Sequence, residues 1–362
     1  MNREQQILEL LRKDPLMPQQ QIADNLGLSR SSVAGYIMNL MHKGQIRGKG
    51  YILSPQQRVV TIGGTNMDIA GYSLGNIVFG DSNLGKIKCT PGGVGRNIAQ
   101  NIAMLGKESH LISVVGDDLY GETVLERTKQ AGAYVDRCYQ LHNETTSTYL
   151  SLLDDNGEMV VAINDMDILK NLTPALLSSR LTFIQHADAI VLDCNLTEKT
   201  LAWIFSNSAD IPIFVDSVST FKAMKIKNWL SHIHTLKPNR LEAEALSGIE
   251  IKTNDDVLNV ATWFHQQGLK RLVLSLGSRG VYFSEKDGMA GWAEPLKVNI
   301  VNVTGAGDAM MAGLVCCWLE NITFADSVRY AQACAAMALS SEFTNNPNLS
   351  DDSVKKLLEV QL

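Results

Sequence analysis

Apolar residues recur at helical spacing in three short stretches near the N-terminus. Ile7, Leu8, Leu10 and Leu11 form a stripe within residues 4–12. Pro15 and Pro18 punctuate the chain, and Gln19–Leu26 predicts a second helix that Gly27 stops. Ser29 is placed to cap a third helix running to about Lys43, with Val33, Ile37, Leu40 and Met41 on one face and Gly44 at its end. Residues 45–53 predict a short two-stranded wing around Gly48 and Gly50. Three short helices, a tight turn at Leu26-Gly27-Leu28 and a wing make the winged helix-turn-helix arrangement.

The pattern changes after a short linker, Ser54-Pro55-Gln56-Gln57. Strands are predicted at 59–62, 111–115, 148–153, 159–163, 189–192, 213–215, 234–236, 272–275 and 281–283. Helical stretches lie between several of them, at 94–105, 198–207, 241–246 and 255–267. Such alternation predicts an α/β domain with a largely parallel sheet. The chain therefore divides into domains at 1–54 and 58–362, with no internal repeat.

Composition adds two constraints. With 45% apolar and 19% charged residues among 362, the chain has ample material for a large core. The net charge of −6 argues against a protein that coats nucleic acid. The charge is uneven: residues 1–54 hold seven Lys and Arg against four Asp and Glu, and the remainder holds 25 against 34. A basic head on an acidic body suggests two tasks. Six cysteines are scattered without a C-x-x-C pair or a His cluster, which fits neither a zinc site nor a disulfide framework and suits a reducing cytoplasm. The longest apolar run, 309–319, is too short to span a bilayer, and no apolar signal segment opens the sequence, so a cytoplasmic protein without a membrane partner is expected.

Candidate chemistry enters with glycine. The stretch GDSNLGKI, residues 80–87, nearly has P-loop spacing, but Ile87 stands where a hydroxyl must ligate the metal. GGVGRN, residues 92–97, lacks the third glycine of a dinucleotide fingerprint, and Pro91 argues against a preceding strand. The stronger pattern is VNVTGAGDAMMAGLVCCWL, residues 301–319, where the turn Gly305-Ala306-Gly307 runs into a long apolar helix. A helix start offers unpaired N–H groups and a positive dipole end, which together make an anion hole. Asp308 falls in the first turn. An anion hole beside a carboxylate suits phosphoryl transfer to a hydroxyl: the N–H groups hold the charge and the carboxylate takes the alcohol proton. The plainer alternative is a carboxylate that only complements the dipole.

Five motifs, in order, carry a resemblance to the ribokinase-like (PfkB) carbohydrate and nucleoside kinase family over residues 58–362. They are GGTNMDIAG (63–71), TPGGVGRNIAQNIAMLG (90–106), LKPNRLEAE (236–244), VLSLGSRGVY (273–282) and NVTGAGDAMMAG (302–313). The resemblance implies a central, largely parallel sheet with flanking helices and a small β lid, and ATP with Mg²⁺. It implies that Asp308 is the catalytic base and that Gly305, Ala306 and Gly307 form the anion hole. Asn66, Asp68, Gly93 and Asn97 match positions that bind sugar hydroxyls; a carboxylate accepts from vicinal hydroxyls and an Asn both donates and accepts. Asn239 and Glu242 match an N-x-x-E pair that organises Mg²⁺ largely through water. Ser275 and Gly277 match contacts to the ATP phosphates and ribose, and Gln332 falls near the adenine by spacing. Arg96 contacts substrate or phosphate, or else pairs with a carboxylate. Plainer readings stand beside these: Asn66 and Asp68 as caps of a turn after the first strand, and Glu242 and Glu244 as a solvated helix face.

The chain departs from ribokinase itself in three places. Val94 and Arg96 replace the Lys and Ala of a GGKGAN form, and Asn302 stands where an Asp neighbours a monovalent-cation site, leaving that cation and ribose as substrate open. Within the family, residues 81–101, 148–166, 234–244, 302–314 and 340–350 are similar to members that phosphorylate the 5′-hydroxyl of pseudouridine. That similarity implies a lid, about 87–89 and 148–163, closing over a nucleoside, with Thr148, Asn164 and Asp165 reading its base. The alternatives are a kinase for another nucleoside or sugar, and a nucleoside-sensing transcription regulator built on the same fold. Ser29, Arg30, Ser31 and Ser32 would open the recognition helix on DNA, against the plainer reading of a small dimerisation domain. Pairing of lid strands in a homodimer is expected.

Overall fold

The computed structural model describes residues 2–43, 45–46 and 57–361. The chain forms two compact units, Met1–Gln56 and Gln57–Leu362. In the first, the helices are α1 (Arg3–Lys13), α2 (Gln19–Leu26) and α3 (Arg30–His42). Asn2 and Gln5 close a capping box on α1, and Ser29 caps α3 by accepting the Ser32 N–H at 3.1 Å. Gly27 ends α2 at φ +63°, a left-handed conformation that glycine adopts without steric cost. Ile7, Leu11, Ile22, Val33, Ile37 and Leu40 form the core between the helices. Met41 differs from expectation: Leu40 completes the buried stripe, and Met41, one position on, is rotated out and exposed. Of the expected wing and linker, residues 47–56 lie outside the described residues.

The second unit contains fourteen strands among the described residues. In chain order they begin with β1 (Arg58–Ile62), β2 (Asn66–Ser73), β3 (Gly85–Gly92), β4 (Glu108–Ile112), β5 (Val114–Gly116), β6 (Tyr139–Leu141), β7 (Thr148–Leu153) and β8 (Met159–Asp165). They continue with β9 (Ala189–Asp193), β10 (Ile213–Asp216), β11 (Thr235–Leu236), β12 (Arg271–Ser275), β13 (Val281–Glu285) and β14 (Ala290–Ala293). The main sheet has eight strands in the order β14-β13-β12-β11-β10-β9-β1-β4. From β4 to β12 the pairings are parallel, and β13 and β14 add an antiparallel edge.

Both faces of this sheet are covered, and the strands show why. Val60 and Ile62 of β1, with Ile190 and Leu192 of β9, enter one core; Val59, Ala189 and Val191 point to the other. The second core is built on the helix Ala306–Leu319, whose residues from Asp308 to Cys317 are all buried. It lies between the helices Val94–Met104 and Phe324–Leu339. That burial explains its unbroken apolar run.

A separate four-stranded sheet, β3-β2-β7-β8, forms the lid. Two expectations give way here. Pro91 lies inside β3, which is the lid's edge strand and can hold a residue without an N–H donor. The predicted strand at 111–115 breaks at Ser113: its first part joins the main sheet, and β5 pairs with β6 instead. The Ser113 hydroxyl donates to the Gly63 carbonyl at 2.7 Å, fixing the break beside the site. No helix among the described residues is long and apolar enough to cross a membrane.

Candidate active site

The site lies at the carboxyl ends of the parallel strands, the usual position in an open α/β sheet. β1 ends in Gly63-Gly64, β9 ends in Asp193, β10 ends in Asp216, and β11 leads through Lys237 to Asn239. Asp193 is fully buried and accepts the N–H groups of Gly64 and Gly95, both at 2.7 Å, and of Asn195 at 2.8 Å. One carboxylate thereby clamps two glycine turns together. A Cβ at Gly63 would stand 2.4 Å from this carboxylate. Burial raises the Asp193 pKa, and the three N–H bonds oppose the rise.

Gly305 caps the helix Ala306–Leu319 at φ +82°, and a Cβ there would lie 2.1 Å from the Thr344 carbonyl oxygen. Asp308 sits in the first turn and is buried. Its Oδ2 accepts the Asn97 side-chain N–H at 2.7 Å. Burial, reinforced by Asp216, pushes the Asp308 pKa up to about 7, while Asn97 and Lys237 pull it back. Lys237 pairs with Asp216 at 2.9 Å, both buried. Burial opposes its charge, but Asp216, Glu242 and Asp308 outweigh that and hold it above the ordinary lysine value. The ammonium is 3.1 Å from where a Cβ on Gly307 would stand, so a side chain there would crowd it.

A cavity of about 460 Å³ opens on this turn, lined by Ala306, Gly307, Asp308, Lys237, Asn239, Glu242, Ser275, Gly277 and Gln332. Asn239, Glu242, Ser275, Gly277 and Gln332, assigned above to ATP or metal, therefore share one cavity with Ala306 and Gly307, and Gly305 lies just outside its lining. Asn239 and Glu242 form a capping box on the helix Arg240–Ser247. Glu242 Oε2 accepts the Asn239 N–H at 2.9 Å and the Ser217 hydroxyl at 2.7 Å, and its Oε1 accepts the Asn239 amide at 2.8 Å. Glu242 is buried, so it is no solvated helix face. Asn239 and Ser275 form a parallel bridge that joins the ends of β11 and β12. Gln332 donates to the carbonyls of Ala293 and Glu294, both at 3.1 Å.

The sugar-side residues converge from the other direction. Asn66 and Asp68 lie within β2 rather than in a turn, on one face, with the Asn66 amide 2.5 Å from Asp68 Oδ1. Gly92 passes so close that a Cβ would meet the Asp68 carboxylate at 2.2 Å. Burial raises the Asp68 pKa. Gly93, at φ +99°, turns the chain from β3 into the helix that carries Arg96 and Asn97. Arg96 pairs with amides, not with a carboxylate: it donates to Asn97 Oδ1, to Gln100 at 2.7 Å and to Asn345 at 2.5 Å. Asn345 in turn donates to the Asn97 carbonyl at 3.0 Å. Burial lowers the Arg96 pKa to about 10.

Strand alternation divides the lid. Thr90, Asp68, Tyr149 and Asn164 are register partners across all four strands and share one face. Thr148 pairs with Met67 and Asp165 on the opposite face. The structure thus brings Asn164 to the side of Asp68 and turns Thr148 and Asp165 away. In the first unit Ser29, Arg30, Ser31 and Ser32 are all exposed, and the Ser29 hydroxyl is engaged as the helix cap.

Sequence reasoning missed Asp193, Asp216, Lys237, Asn345 and Tyr149. The first two had a signal: each is a carboxylate at the end of an apolar strand of a parallel sheet. Asn345 lies in the stretch 340–350 that carries the resemblance, but its role was hidden because its partners lie 244 to 249 positions away.

Comparison with known proteins agrees with this geometry. Residues 56–351 match the model of the pfkB family carbohydrate kinases, and residues 2–47 match a winged helix-turn-helix DNA-binding family. The pseudouridine kinase of Escherichia coli is 57% identical over 83% of this chain and 96% of its own. An uncharacterised sugar kinase of the same organism is 48% identical over 99% of both chains. The structure of Arabidopsis thaliana ribokinase complexed with ribose and ATP superposes with a TM-score of 0.76 at 20% identity, covering 84% of this chain and 99% of that one; it shares the fold.

Proposed function

Because this chain belongs to the pfkB family of carbohydrate kinases, on the ribokinase-like fold, and is an ATP-dependent kinase, we propose that it phosphorylates the 5′-hydroxyl of pseudouridine. The observation that carries the chemistry is Asp308, buried in the first turn behind a left-handed glycine and facing the cavity. The similarity to the Escherichia coli pseudouridine kinase carries the choice of substrate.

ATP occupies the cavity with its phosphates against residues 305–307, Ser275 and Gly277, and its adenine toward Gln332. Asp68 and Asn66 accept and donate to the ribose hydroxyls, and Asn97 holds the sugar beside Asp308. Asp308 accepts the 5′-hydroxyl proton as the oxygen forms its bond to the γ-phosphorus and the bond to ADP breaks. The helix-start N–H groups hold the charge on the transferring group. Mg²⁺ suits the oxygen donors of Asn239 and Glu242; since the capping box engages both residues, they would hold it largely through water, and it would neutralise phosphate charge. Asn302 donates to the Glu342 carbonyl and accepts the Thr304 N–H; turnover with and without K⁺ tests for a monovalent cation there.

The first test is turnover of Mg·ATP across pseudouridine, uridine, inosine, adenosine, ribose and fructose. A preference for pseudouridine supports the proposal; turnover of another member alone replaces the substrate. Asp308→Asn lowers kcat by at least about 10³-fold and leaves nucleoside affinity within a few fold. Near-normal turnover of this variant would remove the base.

Two partners belong to the same reading. The outward lid face exposes Ile87, Leu150, Val161 and Ile163, a surface suited to a second lid in a homodimer, which sedimentation at micromolar concentration checks. Residues 1–54 bind DNA through Arg30 and its neighbouring serines; affinity measured at stated salt, with and without nucleoside, tests this.

A further inference from the structure

The inner face of the lid carries a row of side chains that the phosphoryl-transfer chemistry does not use. Asp68 is one member of it, and its register partners are Thr90 on β3, Tyr149 on β7 and Asn164 on β8. This face looks onto the site: Lys88, two residues from Thr90 and therefore on the same side, has its ammonium 5.1 Å from the ring centroid of Phe343. Phe343 adjoins Thr344, which packs on Gly305, and Asn345, which bonds Arg96 and Asn97. The row therefore continues the sugar-binding surface away from Asp68, in the direction a ribosyl group must send its base.

Its chemistry is also particular. The Tyr149 hydroxyl reaches Met159 Sδ at 3.8 Å, toward the far end of the β7–β8 hairpin. The side chain thus runs along the sheet past the small residues Ser151 and Ala162, which are register partners on the same face, and puts an aromatic ring on that face. Asn164 is exposed, and its carboxamide has one acceptor and one donor side by side. An imide edge, where N–H and C=O alternate on a six-membered ring, is the complement of that pair.

We infer that Tyr149 and Asn164 read the nucleobase, Tyr149 by stacking on its ring and Asn164 by a paired hydrogen bond to an imide edge, while Thr148 and Asp165 take no part. The inference rests on the nucleoside-kinase reading above and assigns the specificity of that site. A uracil-type ring presents such an imide edge; adenine also sets a donor beside an acceptor, so the choice of pyrimidine rests on the pseudouridine reading above, and turnover of adenosine tests it.

The experiment compares wild type with Asn164→Ala, Asn164→Asp, Tyr149→Ala, Tyr149→Phe, Thr148→Ala and Asp165→Ala. KM and kcat are measured for the preferred nucleoside and for ribose, and melting temperatures confirm folding. The expected result is a KM for nucleoside raised at least about tenfold by Asn164→Ala and by Tyr149→Ala, the cost of one lost hydrogen bond or stack. Tyr149→Phe keeps the stack and stays near wild type. Ribose kinetics do not move, and Thr148→Ala and Asp165→Ala remain within about twofold. Asn164→Ala and Tyr149→Ala within twofold on a nucleoside that wild type phosphorylates would overturn the row alone. A loss confined to Thr148→Ala or Asp165→Ala would assign the base to the other face. A wild type that phosphorylates sugars and no nucleoside would overturn the functional reading, and the row with it.

Discussion

Asp308 concentrates the residue-scale physics. A carboxylate must be charged to take a proton, yet burial raises its pKa to about 7. The base form is therefore lost as pH falls through about 7, and kcat/KM of the free enzyme follows it down on the acid side. Asn97 donates to this carboxylate and favours its charged form. Asn97→Ala moves the acid limb of the pH–rate profile to higher pH, in addition to any loss of sugar binding; an unmoved limb would show that Asn97 does not set the base. The residue identities at this point were readable from the sequence. The pKa was not, because it depends on Asp216 and Lys237, which arrive from strands about ninety and seventy positions earlier.

At the scale of elements, most strands and helices were legible, since apolar spacing reports burial directly. Gln19–Leu26, Thr148–Leu153 and Glu198–Asn207 have the ends that the sequence predicts. The failures have physical causes. No strand was predicted at β2, because Asn66, Asp68 and Gly71 are poor strand formers, and the lid holds them for their chemistry. The helix Leu119–Gln130 buries only Gly121, Val124 and Thr128, too little apolar contrast to register. The clamp of Asp193 on two turns was invisible because hydrogen bonds from N–H groups leave no composition signal. Asp193→Ala orphans the N–H groups of Gly64 and Gly95 and lowers stability by roughly 2–6 kcal/mol, at about 1–3 kcal/mol for each buried donor. Urea denaturation measures this, and a loss under about 1 kcal/mol would mean that water replaces the carboxylate.

For the whole molecule, the division of labour is testable. The Escherichia coli pseudouridine kinase matches 83% of this chain yet 96% of its own length, so most of that enzyme corresponds to the second unit. A chain of residues 57–362 is expected to fold and to keep kcat/KM within about threefold, because its two cores are, among the described residues, built from the second unit alone. A tenfold loss on truncation would show that the helical unit supports catalysis. One short segment of the large unit has a different standing. Phe343, Thr344 and Asn345 are consecutive, and they meet the lid, the glycine turn and the Arg96–Asn97 pair respectively. Surface loops of this kind ordinarily accept extra residues. Here one inserted glycine after Phe343 throws all three contacts out of step at once, so turnover falls by about an order of magnitude or more, whereas a glycine inserted after Asp155 at the hairpin tip is absorbed. The stretch is therefore tuned in length as well as in composition, and insertional scanning should find its narrowest tolerance there.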